Sequence, residues 1–280
     1  MEQSNSGVLD QPATRITRAF EQAQQEGRGV LIPYVMCGYP SAEQSLKIVR
    51  AVAEGGADII ELGMPFSDPL ADGATIQHAG HVALERGMTV NGCMEIAGQV
   101  AASSSVPLIL MGYYNPVRAY GLARFCATAK ANGVCGVIIP DLPPEEAAPL
   151  RDVAQQHGLA LIFLVPPTTP DERIIKIVDL TVSGAGGFIY CVSLSGVTGS
   201  RKKVPAHLRD FIARVRSYTK DYHIPLAVGF GLSTPEHIAE VTGYVEGAVV
   251  GSALVNLIDR HEEQEQPEAV RRYIASLQQK

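Results

Sequence analysis

Residues Val30–Gly63 read VLIPYVMCGYPSAEQSLKIVRAVAEGGADIIELG. Two short apolar runs, VLIPYVM and ADIIELG, flank a segment in which Leu46, Ile48, Val49, Val52 and Ala53 recur at helical spacing. Ser41 with Gln44 fits a capping box at the start of that helix. Both runs are nearly continuously apolar rather than alternating, the pattern of parallel strands covered on both faces. The segment therefore predicts a strand–helix–strand unit with its strands parallel.

The unit repeats. PLILMG begins at Pro107, CGVIIP at Cys135, LALIFLV at Leu159, GFIYCVS at Gly187, PLAVGFG at Pro225 and EGAVVGS at Glu246. With the first two runs this makes eight strands alternating with helices, and predicts an α/β chain folded as a single (β/α)8 TIM barrel. Further helix starts are expected at Thr169–Pro170–Glu172 and at Ser233 with Glu236. The gap between the second and third strands has room for two helices, about 74–85 and 91–104, one more than the repeat needs. Another extra helix is expected ahead of the first strand. A doubly wound open sheet shares the alternation, but no G-x-G-x-x-G follows the first strand. Pro33 lacks a ladder donor and is expected to be a local irregularity. Residues 1–12 are polar and read as a flexible tail before a single domain at 13–280.

Composition narrows the function. A net charge of −6 leaves no basic surface for a nucleic-acid partner, although a small anionic ligand remains open. The 5 cysteines include no C-x-x-C pair, which argues against a disulfide framework or structural zinc. No run of 18 apolar residues and no apolar leader is present, so a cytoplasmic chain without membrane partner is expected.

In a parallel barrel the chemistry sits where strands end at their C-terminal side. The second run ends in ELGMPFSDPLADG, Glu61–Gly73. Alternation puts Ala57, Ile59 and Glu61 on the inner face and Ile60 and Leu62 on the outer one. Glu61 then points into an apolar interior, where desolvation raises a carboxyl pKa and suits a general acid. Asp72 returns a second carboxylate over the same mouth. The same residues also fit a structural Glu61 with Asp68 and Asp72 capping turns. Gly229–Ser233 and Gly251–Ser252 each precede a helix, the setting in which backbone N–H groups bind phosphate. SLSGVTGSRKKVP after the sixth strand is long enough for a lid. Tyr113, Tyr114, Asn115, Asp141 and Tyr190 are candidate pocket walls; His78 and His81 lack partners for a metal site.

Beyond these readings, ELGMPFSDPLADG, YYNP (113–116), PDLP (140–143), SGVTG (195–199), GFG (229–231) and GSA (251–253) occur in this order. From about Ile16 onward the chain resembles the tryptophan synthase alpha subunit family. The resemblance implies a lyase that cleaves indole-3-glycerol phosphate by a retro-aldol reaction to indole and glyceraldehyde 3-phosphate, without metal or organic cofactor. It implies Glu61 as acid/base at indole C3 and the glycerol hydroxyl, and Asp72 as acceptor of the indole N–H. Gly199, Gly231, Gly251 and Ser252 match phosphate contacts, Tyr34 and Tyr190 pocket aromatics, and Thr198 a lid threonine that orders Asp72. With Tyr113 these make up the expected substrate-binding set. The implied partner is a beta subunit carrying pyridoxal phosphate in an α2β2 complex; a stand-alone lyase and a non-catalytic activator are the alternatives. Met36, Cys37 and the glycine of MGYYNP depart from the family's common residues.

Overall fold

The computed structural model describes residues 11–192, 206–229 and 231–278. Among them the strands are β1 (Val30–Met36), β2 (Ile60–Gly63), β3 (Leu108–Met111), β4 (Val134–Ile138), β5 (Ala160–Ile162), β6 (Leu164–Val165), β7 (Ile189–Val192), β8 (Leu226–Gly229) and β9 (Gly247–Val250). All pair in parallel, in the order β5-β4-β3-β2-β1-β9-β8-β7-β6. The first strand lies between the second and the last, which an open doubly wound sheet does not allow. The barrel closes through the fifth sequence run. LALIFLV divides at Phe163, its first half pairing with β4 and its second with β7. The N–H of Tyr190 donates to the Phe163 carbonyl at 3.0 Å and bridges the seam. Eight runs thus supply nine strands.

Pro33 sits where β1 changes neighbours. Pairing with β9 spans Val30–Pro33 and pairing with β2 starts at Tyr34, so the missing donor falls at the handover. Alternation along β2 holds: Ile59 joins the barrel interior and Ile60 and Leu62 the layer beneath the helices. Ala57 precedes the strand and packs in that outer layer instead.

The expected N-terminal extra helix is α1 (Pro12–Gln25). Its buried face of Ala13, Ile16, Phe20 and Ala23 closes the barrel floor, with the Phe20 ring 5.5 Å from that of Phe188. After α2 (Ala42–Glu54), the two helices between β2 and β3 are α3 (Ala74–Glu85) and α4 (Val90–Ala101). The remainder are α5 (Tyr114–Tyr120), α6 (Leu122–Ala131), α7 (Ala148–Gln156), α8 (Asp171–Val182), α9 (Ala206–Thr219), α10 (Pro235–Thr242), α11 (Ser252–Asp259) and α12 (Gln266–Leu277).

Cap chemistry holds in part. Ser41 accepts the Gln44 N–H at 3.2 Å, but the Gln44 side chain does not return to Ser41. It donates to Glu263 and Gln266 of the C-terminal region, a tertiary bond displacing the local one. At α10 the cap is Thr234, which accepts the His237 N–H at 3.3 Å, not Ser233. Pro235 takes the first helical position, where its missing N–H costs nothing, and this moves the cap to its neighbour. Pro170 stands before α8 rather than inside its first turn, which Asp171 and Glu172 open.

Candidate active site

The C-terminal ends of the strands enclose a cavity of about 220 Å³. Tyr34, Glu61, Asp72, Tyr190, Gly231, Gly251 and Ser252 all line it. Ile76, Met111, Leu164, Val192 and Val249 complete its apolar wall. These went unnoticed in the sequence, although carrying the strand alternation to the ends of the later runs would have pointed to most of them. A larger cavity of about 460 Å³ opens between α1, α10 and α12 at the other face of the barrel. The guanidinium of Arg28 there is already held by Asp58 at 2.7 Å, and no carboxylate lines the space.

Glu61 is 1% exposed, and its Oε2 has no hydrogen-bond partner. Burial, and secondarily the charge of Asp72, pushes its carboxyl up to about 8. Asp72 is half-buried, and burial raises it to about 6 while a hydrogen bond from Tyr113 pulls it down. Two carboxyls over one cavity are therefore split: at neutral pH Glu61 holds its proton and Asp72 is ionised. Asp68 is exposed and accepts from the Ser67 hydroxyl at 2.5 Å, outside the cavity.

Asp72 is held in place by its loop. Its N–H donates to the Pro69 carbonyl at 3.1 Å, and the Gln77 amide donates to its own carbonyl at 2.9 Å. The Tyr113 hydroxyl accepts the Ala71 N–H at 2.9 Å, with its ring 5.2 Å from that of Phe66. Tyr113 thus stands behind Asp72 as a buttress and does not line the cavity. Asp141 accepts the Tyr114 N–H at 2.8 Å at the start of α5, which ties the YYNP and PDLP loops together.

Two glycines make room for the aromatic side chains. A Cβ at Gly63 would collide with the Tyr34 hydroxyl, and one at Gly229 with that of Tyr190. Gly231 has φ 61°, the left-handed region that glycine enters freely. Gly251 precedes α11 and Ser252 is its first residue, so the first N–H groups of that helix face the cavity end. His78 lies edge-on to Tyr39, and His81 pairs with Glu85 at 3.1 Å. Thr198 and Gly199, with the 195–204 lid reading, lie outside the described residues.

Comparison with known proteins agrees with this geometry. The family model of the tryptophan synthase alpha chain matches residues 20–280. A tryptophan synthase alpha chain of Chloroflexus aggregans is 48% identical over 264 residues, covering 94% of this chain and 96% of its own. The crystal structure of the alpha chain from Legionella pneumophila superposes with a TM-score of 0.84 at 34% identity, over 94% of this chain and 95% of that one. A chain of the tryptophan synthase complex from Pyrococcus furiosus superposes with a TM-score of 0.80 at 37% identity, over 89% and 98%. With the barrel, the two unequal carboxyls at its mouth and matches along nearly its whole length, the chain belongs to the tryptophan synthase alpha chain family, whose reaction is that of a lyase.

Proposed function

We propose that Glu61 is the acid/base of indole-3-glycerol phosphate cleavage in this chain and that Asp72 stabilises the charge that develops on the ring. The observation that carries the reading is their split: a buried neutral acid and an ionised carboxylate over one cavity. Glu61 passes its proton to indole C3 while Asp72 accepts the ring N–H and balances the positive charge that develops. The bond from C3 to the glycerol carbon then breaks. The hydroxyl on that carbon gives its proton to the Glu61 carboxylate and becomes the aldehyde, so Glu61 ends as it began. Tyr34 and Tyr190 hold the ring, and Tyr113 keeps Asp72 in position.

The phosphate is assigned to Gly231, Gly251 and Ser252, where backbone donors meet the positive end of α11; Gly199 joins them on the family pattern. Inorganic phosphate or glycerol phosphate is expected to protect the fold. At ten times its Kd a ligand adds about 1.4 kcal/mol, or about 2–4 °C in melting temperature for a chain of this size. A flat melting curve up to tens of millimolar, in low-salt buffer, would remove the anion site.

Indole is small and uncharged, and an open mouth would lose it to solvent. The reading therefore includes a beta subunit with pyridoxal phosphate, docked on the C-terminal face in an α2β2 complex. Its seat would be the loops at 65–71, 115–120 and 140–143; Leu70, 94% exposed on the first, would supply an apolar contact there. No described helix is long and apolar enough to cross a membrane, and a cytoplasmic setting goes with the reading. The deciding experiment is an indole-release assay with and without a cognate beta subunit. Docking is expected to raise turnover about tenfold, the gain when a site about a tenth competent becomes fully so. Unchanged kcat and KM, with no complex in sedimentation, would favour a stand-alone lyase. No indole release in either condition would favour a non-catalytic activator.

A further inference from the structure

We propose that Tyr34 is a positioning residue for Glu61, its hydroxyl being the donor that the Glu61 carboxylate takes up once the proton has gone to substrate. The proposal rests on the acid role given to Glu61 above.

Tyr34 and Glu61 are register partners on β1 and β2, and both line the cavity. The Tyr34 hydroxyl occupies the space that Gly63 leaves by lacking a Cβ. Gly63 is two residues beyond Glu61 on the same face of β2, about 7 Å along the strand, a gap within the reach of an extended glutamate side chain plus one hydrogen bond. In the resting protein this hydroxyl donates to the thioether of Met36 at 3.8 Å, a weak acceptor. Beside it, Glu61 Oε2 has no partner at all. A weakly committed donor and an orphaned acceptor thus line one cavity.

The resting arrangement suits a neutral Glu61, which can do without a strong donor. When the proton leaves, a buried carboxylate without a donor is costly, whereas a hydrogen bond to the charged form stabilises it. Rotation of the Tyr34 O–H from Met36 to Glu61 trades a weak bond for a charge-assisted one. Of the other groups facing this space, Asp72 brings a second negative charge from its loop. Tyr190 also lines the cavity and feels the Glu61 charge, but its hydroxyl stands over Gly229 of β8, whereas that of Tyr34 stands over Gly63 of β2, the strand that carries Glu61. The described lining includes no Lys, Arg or His.

The test reads the Glu61 carboxyl directly in the substrate-free protein. Its neutral carbonyl band is followed by infrared difference spectroscopy against pH and identified by its loss in Glu61→Gln. Tyr34→Phe is expected to raise the titration midpoint by about one pH unit and to lower kcat about tenfold with KM little changed. Met36→Leu, which removes the competing acceptor, is expected to lower the midpoint. A rise in Tyr34→Phe together with a fall in Met36→Leu supports the proposal; any other pattern overturns it. Because the titration needs no substrate, the opposed shifts would still establish the Tyr34–Glu61 pair if the wild type released no indole, and only the reaction assignment would fall.

Discussion

Glu61→Gln is expected to fold as the wild type does and to lose about 10²- to 10⁴-fold in indole release, the usual contribution of a general acid/base group. The amide matches the neutral carboxyl in shape, and the neutral form is the one that burial favours. It cannot give a proton to C3 or take one from the hydroxyl. Activity within threefold of wild type would remove Glu61 from the mechanism. The same variant carries a stability signature. The folded-state pKa of about 8 lies above the ordinary value of 4.5, so between those pH values Glu61 binds more protons in the folded chain than in the unfolded one. The Glu61 contribution to stability is therefore full below this window and is lost as pH rises through it. Glutamine has no such dependence, so its melting temperature should gain on the wild type from pH 5 to pH 9. A constant difference across that range would mean that Glu61 ionises freely in the fold.

Asp72→Asn is expected to lose about 10²-fold, as when one preorganised group facing developing charge is removed. The amide still accepts the ring N–H but brings no negative charge to the protonated indole. The pH profile gives the sharper test. In the wild type kcat/KM needs Asp72 ionised and Glu61 protonated, giving a bell with limbs near 6 and 8. A substrate phosphate also titrates near 6, so the alkaline limb decides. Asp72 is one cause of the raised Glu61 value. Without its charge the limb should move to lower pH, and a limb that stays in place would show that the two carboxyls are not coupled.

The architecture was legible because its signals are local. Helix α3 runs Ala74–Glu85, the span that its periodicity predicts, and the inward direction of Glu61 follows from counting along ADIIELG. The mouth residues Tyr34, Asp72, Tyr190, Gly231, Gly251 and Ser252 come together because each lies on a strand or between its C-terminal end and the first residue of the next helix. A parallel barrel brings all such ends to one face.

What the sequence by itself determined is thus the alternation of elements, their burial pattern and which residues reach the catalytic face. All of these follow from backbone geometry and hydrophobic spacing within a few residues. Only the tertiary structure decided partners. LALIFLV serves two neighbours because barrel closure brings β4 and β7 to its two halves. Gln44 leaves its own helix end for Gln266, 222 residues away. Tyr113 supports Asp72 because the loop returns Ala71 to its hydroxyl, and Tyr34 meets Met36 in the space Gly63 leaves open. Side-chain hydrogen bonds are short and directional, so which groups pair is set by distances that exist only once the chain has closed on itself.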